Sequence, residues 1–416
     1  MKVLHIIAGD IEEGAARGAY WLHQGLVKEQ VDSKILIQKE HRRIFDKLVT
    51  VITRNKFYKI LSFFCMILER LLVRLYTRRN RYILFSPGIF GLNILRQSVV
   101  KEADIIHFHW ITNAFIDVKL FSKIDKPIVW TFRDMWPITG GCHTTFFGCE
   151  RYEQKCGKCP VLGSALRLDL SKWVLDRKKK HYKPNIHPVA ISSWQAGRIQ
   201  RSSLFKDKSV PVIHNCVDTD IFYPIEKEEA RHLLELPVSG KKIVLLGAMY
   251  LLVDKNKGLD MLLEAKERIK DKDIIYLFFG SLGIEDKIQG DNVRSLGFLN
   301  DYLSLRIAYS AADVFVMPSI QEAFGKMLIE AMGCGTPAVA FNATGPADII
   351  SHKKDGYLAE AFDSSDLAKG IEWIIKNGKE KQLPEKAREK VEKEFSLRVI
   401  ARKYISLYKN VLNTSM

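Results

Sequence analysis

The sequence predicts an α/β protein of two domains, each built on a parallel sheet covered by helices on both faces. Strands and helices alternate along nearly the whole chain, which is the pattern of parallel sheets. Several strands close on glycine or serine, the place where open α/β sheets hold ligands. The chain has 416 residues, 47% of them hydrophobic, enough for two cores.

The elements follow in order. "KVLHII" reads as a strand, "GAARGAYWLHQGLVKE" as a helix and "SKILIQ" as a strand. "ADIIHFHW" and "PIVWTF" are two more strands, with helical "NAFIDVKLF" between them. "HPVAIS", helical "SWQAGRIQRS" and "VPVIHN" complete the first half. "DTDIFYP" ends in proline and reads as a linker. After it come the strands "KKIVLLG", "DIIYLFFG", "NVRSLG", "DVFVMPS" and "TPAVAF", with helices between. "SLRVIARKYISLYKNVL" is a terminal helix. The expected organisation is a domain over residues 1–210, a linker over 211–224, a second domain over 225–395, and a helix over 396–416 that crosses back to the first domain.

Net charge is +16 and the pI about 9.4, which points to an anionic partner: nucleic acid, an acidic membrane surface or phosphorylated ligands. No nucleic-acid-binding module is recognisable. Charged residues are 27% and low-complexity tracts are absent, so broad disorder is not expected. "MKVLHIIAGD" reads as a strand rather than a signal peptide, and no stretch reaches the ~18 apolar residues of a spanning helix. A cytoplasmic protein is expected, peripheral on the inner face of the cytoplasmic membrane.

Residues 40–84 break the alternation. They read as helical and basic, with Arg42, Arg43, Lys47, Arg54, Lys56, Lys59, Arg70, Arg74, Arg78, Arg79 and Arg81 against Glu40, Asp46 and Glu69. Apolar residues interleave at helical spacing. Such a segment suits an anionic lipid surface; a helical hairpin packed on the domain with a solvated basic face reads equally well.

"QEAFGKMLIEAMGCGTPAVA" carries two carboxylates, Glu322 and Glu330. On a helix starting near Phe324 they stand roughly 12 Å apart along the axis. A glycosidase pair needs roughly 5 to 9.5 Å, so hydrolysis by paired acids is disfavoured. The longer span suits the two ends of an extended ligand with hydroxyls at each end and a diphosphate between, that is, a nucleotide sugar. Carboxylates accept from vicinal hydroxyls, and the helix start at Gly325 and Lys326 offers N–H groups to the diphosphate. The plainer alternative makes Glu322 a cap and Glu330 a solvated residue, but Glu330 sits among Met327, Leu328, Ile329, Ala331 and Met332 without a polar stripe.

With these motifs in hand, the chain resembles the retaining glycosyltransferases of family 4. "EAFGKMLIEAMGCGTPAVA" is similar to that family's paired-glutamate signature, and "DKNKGLDMLLEA" to its phosphate-binding lysine–glycine segment. "IHNCVDTDIFYP" is similar to its linker, "EGAARGAYWL" to its N-terminal glycine-rich turn, and "TGPADII" to the loop after the signature strand. The likeness covers nearly everything outside 40–84, and "WPITGGC…CGKCP" brings it nearest to bacterial enzymes of exopolysaccharide, capsule, lipopolysaccharide and O-antigen synthesis.

The resemblance implies two facing Rossmann-like domains of the GT-B type with a cleft between them, and a hexosyl transfer from a nucleoside-diphosphate sugar to a glycan or polyprenyl-linked glycan, with retention. The first domain would take the acceptor. It implies a donor-binding set of Gly14, Ala15, Lys255, Lys257, Glu322, Phe324, Gly325, Lys326 and Glu330, with Glu322 on the sugar and Glu330 on the ribose. Lys257 would hold the diphosphate as negative charge builds on it. Two departures bear on activity. The family carries an arginine after the first strand of the second domain, where this chain has Ala248; Lys255 is the nearby substitute. The family carries His-Asp after the "VWTF" strand, where this chain has Arg133-Asp134. Arginine is no base at neutral pH, which leaves Asp134 and His109 as proton acceptors, with His109 as readily a satisfied strand-end histidine. No metal-binding Asp-x-Asp motif is in a suitable place, so transfer without a catalytic metal is expected. The alternatives are a donor-binding scaffold with impaired catalysis, and a sugar-nucleotide epimerase on the same fold.

Four of the seven cysteines, Cys142, Cys149, Cys156 and Cys159, fall within the loop 133–165. Their C-x₆-C-x₆-C-x₂-C spacing ends in a knuckle of the zinc type, and a structural zinc is expected, with His143 as a substitute ligand. Reduced free cysteines are the alternative.

Overall fold

The structure, a computed structural model, describes residues 1–11, 14–41, 44–145, 148–248, 251–252, 254–271, 273–280, 288 and 290–415. Arg42 and Arg43 of the basic segment lie outside them, as do Met249, Tyr250 and Val253 of "LGAMYLLVDKNKG".

The chain divides into two compact units: Met1–His214 together with Ile400–Met416, and Asn215–Val399. The division therefore falls inside the 211–224 segment.

The first unit holds β1 (Lys2–Ile7), β2 (Asp32–Ile37), β3 (Val49–Val51), β4 (Ile105–Phe108), β5 (Ile128–Thr131) and β6 (Ile186–Val189). They form one sheet in the order β3-β2-β1-β4-β5-β6, all parallel. β1 and β4 are buried on both faces, as a covered parallel sheet requires. The main core gathers Ile6, Phe108, Phe121, Trp130, Trp136 and Ile186. Helix α1 (Gly14–Lys28) follows β1, and helix α2 (Lys56–Arg74) follows β3.

The second unit holds β7 (Lys242–Gly247), β8 (Ile274–Phe279), β9 (Val293–Ser295), β10 (Val314–Met317), β11 (Ala338–Phe341) and β12 (Gly356–Ala359). Their order is β12-β11-β10-β7-β8-β9, again all parallel. Numbered within its own unit, each sheet runs 3-2-1-4-5-6, the Rossmann order. The strand order reverses between β1 and β4 and between β7 and β10, so ligand sites are expected beyond the carboxyl ends of those strands.

Three expectations change. Residues 40–84 are not uniformly helical: Val49–Val51 adds an edge strand and, among the described residues, only Lys56–Arg74 forms an α-helix. Leu36 and Thr50 register across that edge, where three β-branched residues, Val-Thr-Val, suffice to pair. "VPVIHN" forms no strand and makes one bridge, Ala190 to Val212. "NAFIDVKLF" yields a 3₁₀ segment, Val118–Lys123, capped by Asp117, instead of an α-helix. The terminal helix, Leu397–Ser415, places Tyr408 against His107 and Tyr404 against Thr131 inside the first unit.

Candidate functional site

In the second unit, the site residues come from segments that follow β7 and β10. The helix of the glutamate signature runs Lys326–Gly333, with Gly325 as its N-cap at φ +107°. That conformation favours glycine. At the other end Gly335, at φ +76°, turns the chain out towards β11. Glu322 is therefore not on the helix, and the axial spacing expected for the two glutamates does not apply. Its segment is pinned by its neighbours: Glu322 O accepts from Gly345 N at 2.9 Å, and a Cβ on Gly345 would sit 2.3 Å from Ala323 O. Ile320 N donates to Asn256 O at 2.8 Å, which ties this segment to the lysine-bearing turn Lys255–Lys257. Gly258 ends that turn at φ +71°, where a Cβ would lie 1.8 Å from Pro318 O.

The result is a charge pair: Lys257 Nζ stands 3.2 Å from Glu322 Oε2, both partly exposed. The Glu322 carboxylate raises the Lys257 pKa, so the ammonium stays charged. Lys255 is exposed and makes no ion pair among the described residues. Ala248, where the family carries arginine, is buried at the end of β7.

Glu330 is different. It is 2% exposed; its Oε2 accepts from the Tyr309 hydroxyl at 3.0 Å, and its Oε1 has no hydrogen-bond partner among the described residues. Lys326 Nζ lies 3.9 Å away. A buried carboxylate oxygen without a donor is costly and rare unless something else supplies the donor. Phe324 is buried against Phe395.

In the first unit, Gly14 and Ala15 open α1 after β1. His109, just past β4, is buried; its Nε2 pairs with His5 Nδ1 at 2.9 Å and its Nδ1 with Arg133 at 3.0 Å. Both ring nitrogens are engaged, so His109 holds Arg133 in place. Burial keeps its pKa well below the ordinary histidine value.

Asp134 is the better-placed acceptor. Its carboxylate receives the Trp110 indole N–H at 2.8 Å and the Trp136 backbone N–H at 2.8 Å. His143 Nδ1 meets the same carboxylate at 2.6 Å, and His143 Nε2 meets Ser86 Oγ at 2.9 Å. The sequence offered His143 only as a substitute zinc ligand. Its pairing with Asp134 depends on the cysteine loop folding back, which no local pattern shows. Both nitrogens of His143 are thus engaged, and Asp134, Trp110, His143 and Ser86 form one hydrogen-bonded chain around the Asp134 carboxylate.

The four loop cysteines are free thiols that line one small cavity with Thr139 and Tyr152. Among the described residues, the set of three or more metal-type donors lying within 4.8 Å of one another is His5, His107 and His109, not the cysteines. His107 in that set is satisfied by Tyr408 and Thr131.

Two such sheets define the class: the chain has a two-Rossmann-domain GT-B fold. HepE of Anabaena, solved with UDP-glucose, superposes with a TM-score of 0.62 at 15% identity over 99% of this chain and 100% of its own. Residues 231–393, which lie within the second unit, match the family Glycosyl transferases group 1. The putative colanic acid biosynthesis glycosyl transferase WcaC of Escherichia coli is 25% identical over 287 residues, 64% of this chain and 67% of WcaC. The capsular polysaccharide biosynthesis glycosyltransferase CapM of Staphylococcus aureus is 29% identical over 173 residues, 39% of this chain and 45% of CapM. The chain thus spans two thirds of one relative and under half of the other.

Proposed function

We propose that the protein is a retaining glycosyltransferase of family 4 type. It moves a hexosyl group from a nucleoside-diphosphate sugar to a hydroxyl of a glycan or lipid-linked glycan in bacterial surface-polysaccharide synthesis. The observation that carries this is Glu330, whose buried Oε1 has no hydrogen-bond partner among the described residues and which follows Glu322 of the Lys257–Glu322 pair by eight residues. Vicinal hydroxyls of a bound ribose supply such donors. Glu322 accepts from the donor sugar. Lys257, Lys255 and the start of the helix Lys326–Gly333, at Phe324 and Gly325, take the diphosphate. In the first unit, Gly14 and Ala15 offer backbone at the start of α1.

The acceptor oxygen bonds to the anomeric carbon as the bond from that carbon to the diphosphate oxygen breaks. The nucleoside diphosphate leaves with the electron pair, and Lys257 stabilises its charge. Asp134 with His143 takes the acceptor proton, and Arg133, held by His109, binds a hydroxyl or phosphate. The likeness to WcaC and CapM supports a polysaccharide product, and the solved HepE complex supports a sugar-nucleotide donor. Among the described residues no helix is long and apolar enough to cross a membrane; residence on the inner membrane face is read from α2. For the cysteine loop the reading is a structural zinc on Cys142, Cys149, Cys156 and Cys159, supported by their shared cavity. Closing it needs side-chain rotations that bring the sulfurs to Zn–S distances of about 2.3 Å.

The test is a thermal-shift screen of the purified chain against UDP-, GDP-, ADP- and dTDP-sugars, with Glu330→Ala alongside. One nucleotide that stabilises the natural chain and not the variant names the base. Donor binding without release of nucleoside diphosphate to any acceptor would instead favour a scaffold, the reading that Arg133 and Ala248 motivate; turnover without acceptor would favour an epimerase.

A further inference from the structure

Helix α2 is packed on one side only. Tyr58 and Leu61 pack against the main core, and Cys65 and Glu69 are buried. The opposite side carries Phe57, Ile60, Phe64, Leu68, Leu71 and Leu75, each between 44% and 76% exposed. Their spacing of three and four residues makes one continuous stripe along the helix. A solvent-facing helix would place polar residues there, and an apolar patch of this kind marks a surface that meets something apolar.

Beside the stripe lies a cavity of about 360 Å³, lined by Arg70 and Arg74 of α2 and by Arg79 and Arg81 of the segment that follows. None of these four arginines makes an ion pair with a described residue. From Lys56 to Leu84 the chain has seven basic residues and one acidic residue, Glu69. Glu69 does not neutralise the cavity: it turns inward to accept from Ile89 N at 2.9 Å, and burial raises its pKa to about 7. Four arginines around a cavity whose one lining carboxyl, Glu69, is turned inward to backbone N–H groups fit a phosphate or diphosphate, which their planar forks grip with paired hydrogen bonds. The floor of the cavity includes Ser86, which is bonded to His143 and through it to Asp134.

We propose that this cavity and stripe together bind a lipid-borne phosphate or diphosphate, with the head group on Arg70, Arg74, Arg79 and Arg81 and the hydrocarbon along α2. The occupant is one amphiphile, because a basic cavity and an apolar stripe on the same helix match its two halves. This rests on the acceptor reading above and specifies the acceptor's chemistry: a glycan carried on a phosphorylated lipid, its head beside the Ser86–His143–Asp134 chain. The stripe places this surface on the bilayer, and the arginines select the phosphate.

The experiment is vesicle flotation of the full chain. Three compositions are used: neutral phosphatidylcholine, the same with phosphatidylglycerol, and the same with a few mole per cent of a polyprenyl diphosphate. The variants are Arg74→Gln with Arg79→Gln, and Phe64→Ser with Leu68→Ser. Enrichment on the polyprenyl diphosphate vesicles over neutral ones is expected. The arginine pair should weaken it about thirtyfold, from ~1 kcal/mol per basic residue at the surface. The helix pair should abolish binding to both charged compositions. No enrichment over neutral vesicles overturns the proposal, as does natural affinity in the arginine pair. Inorganic pyrophosphate that binds equally to natural chain and helix pair, with no vesicle binding, assigns the cavity to a free phosphate and overturns the lipid part. Donor-induced thermal shifts on the same preparations separate the two readings: a donor shift without vesicle binding removes this one alone, and vesicle binding without a donor shift removes the proposed function alone.

Discussion

Replacing Glu330 by glutamine should stabilise the protein without donor and weaken its hold on the donor. Glu330 is 2% exposed, and one of its two oxygens has no hydrogen bond among the described residues. A buried acceptor left in that state costs ~1–3 kcal/mol. Lys326 at 3.9 Å returns part of this, about 1 kcal/mol for a pair that is not in hydrogen-bond contact. Glutamine keeps a carbonyl for the Tyr309 hydroxyl; its amide nitrogen, in place of Oε1, also lacks a partner, but a neutral amide costs less to bury than a carboxylate, so the gain for Glu330→Gln is about 1 kcal/mol. For a unit of this size that raises the melting temperature by about 2–4 °C. Donor binding moves the other way: hydrogen bonds from ribose hydroxyls to a charged acceptor contribute ~1.5–3 kcal/mol, which corresponds to about 10- to 150-fold in Kd. Differential scanning calorimetry without donor and isothermal titration with the nucleotide sugar measure the two halves. A variant that melts lower than the natural chain, or binds donor with the same affinity, would refute the reasoning.

Three other outcomes follow from the same geometry. Lys257→Met should leave donor binding measurable and lower kcat by ~10²–10³, because the lysine acts on charge that develops on the leaving diphosphate; a variant with unchanged kcat in a nucleoside-diphosphate release assay removes it from the chemistry. Stability of the first unit should fall as pH drops below about 6.5. Burial holds His5, His107 and His109 well below that value and His23 at about 4, so the unfolded chain takes up protons that the folded one refuses. Each contributes ~1.4 kcal/mol per pH unit, and Glu69, raised to about 7, opposes with one such term between its folded and unfolded values. Urea unfolding between pH 7 and 5 should therefore lose about 3 kcal/mol per unit near pH 6, where the unfolded histidines are about three-quarters protonated, and a flat profile contradicts it. Finally, elemental analysis of the purified chain should find about one zinc per molecule, lost in Cys156→Ser with Cys159→Ser and retained in Cys65→Ser; metal-free protein whose four loop thiols all react when unfolded counts against the zinc.

The sequence by itself determined the two parallel sheets, because strands buried on both faces must be written as continuous apolar runs: "KVLHII" and "DVFVMPS" each border a reversal of strand order. It also marked the second unit's candidate site. Glu322, Gly325 and Glu330 lie close along the chain, Lys257 stands 65 residues earlier beside Gly258, and glycines at positive φ leave a readable mark. The tertiary structure alone decided that Glu322 stands off the helix, because the Gly345 contact that holds its segment comes from beyond β11. It alone decided that His143 joins Asp134, since the loop that carries it returns across a turn set by long-range packing. It alone turned the arginines around α2 into a cavity and its leucines and phenylalanines into a stripe. Charge and periodicity are written in sequence, but which face a helix keeps outside depends on what the rest of the chain places against the other.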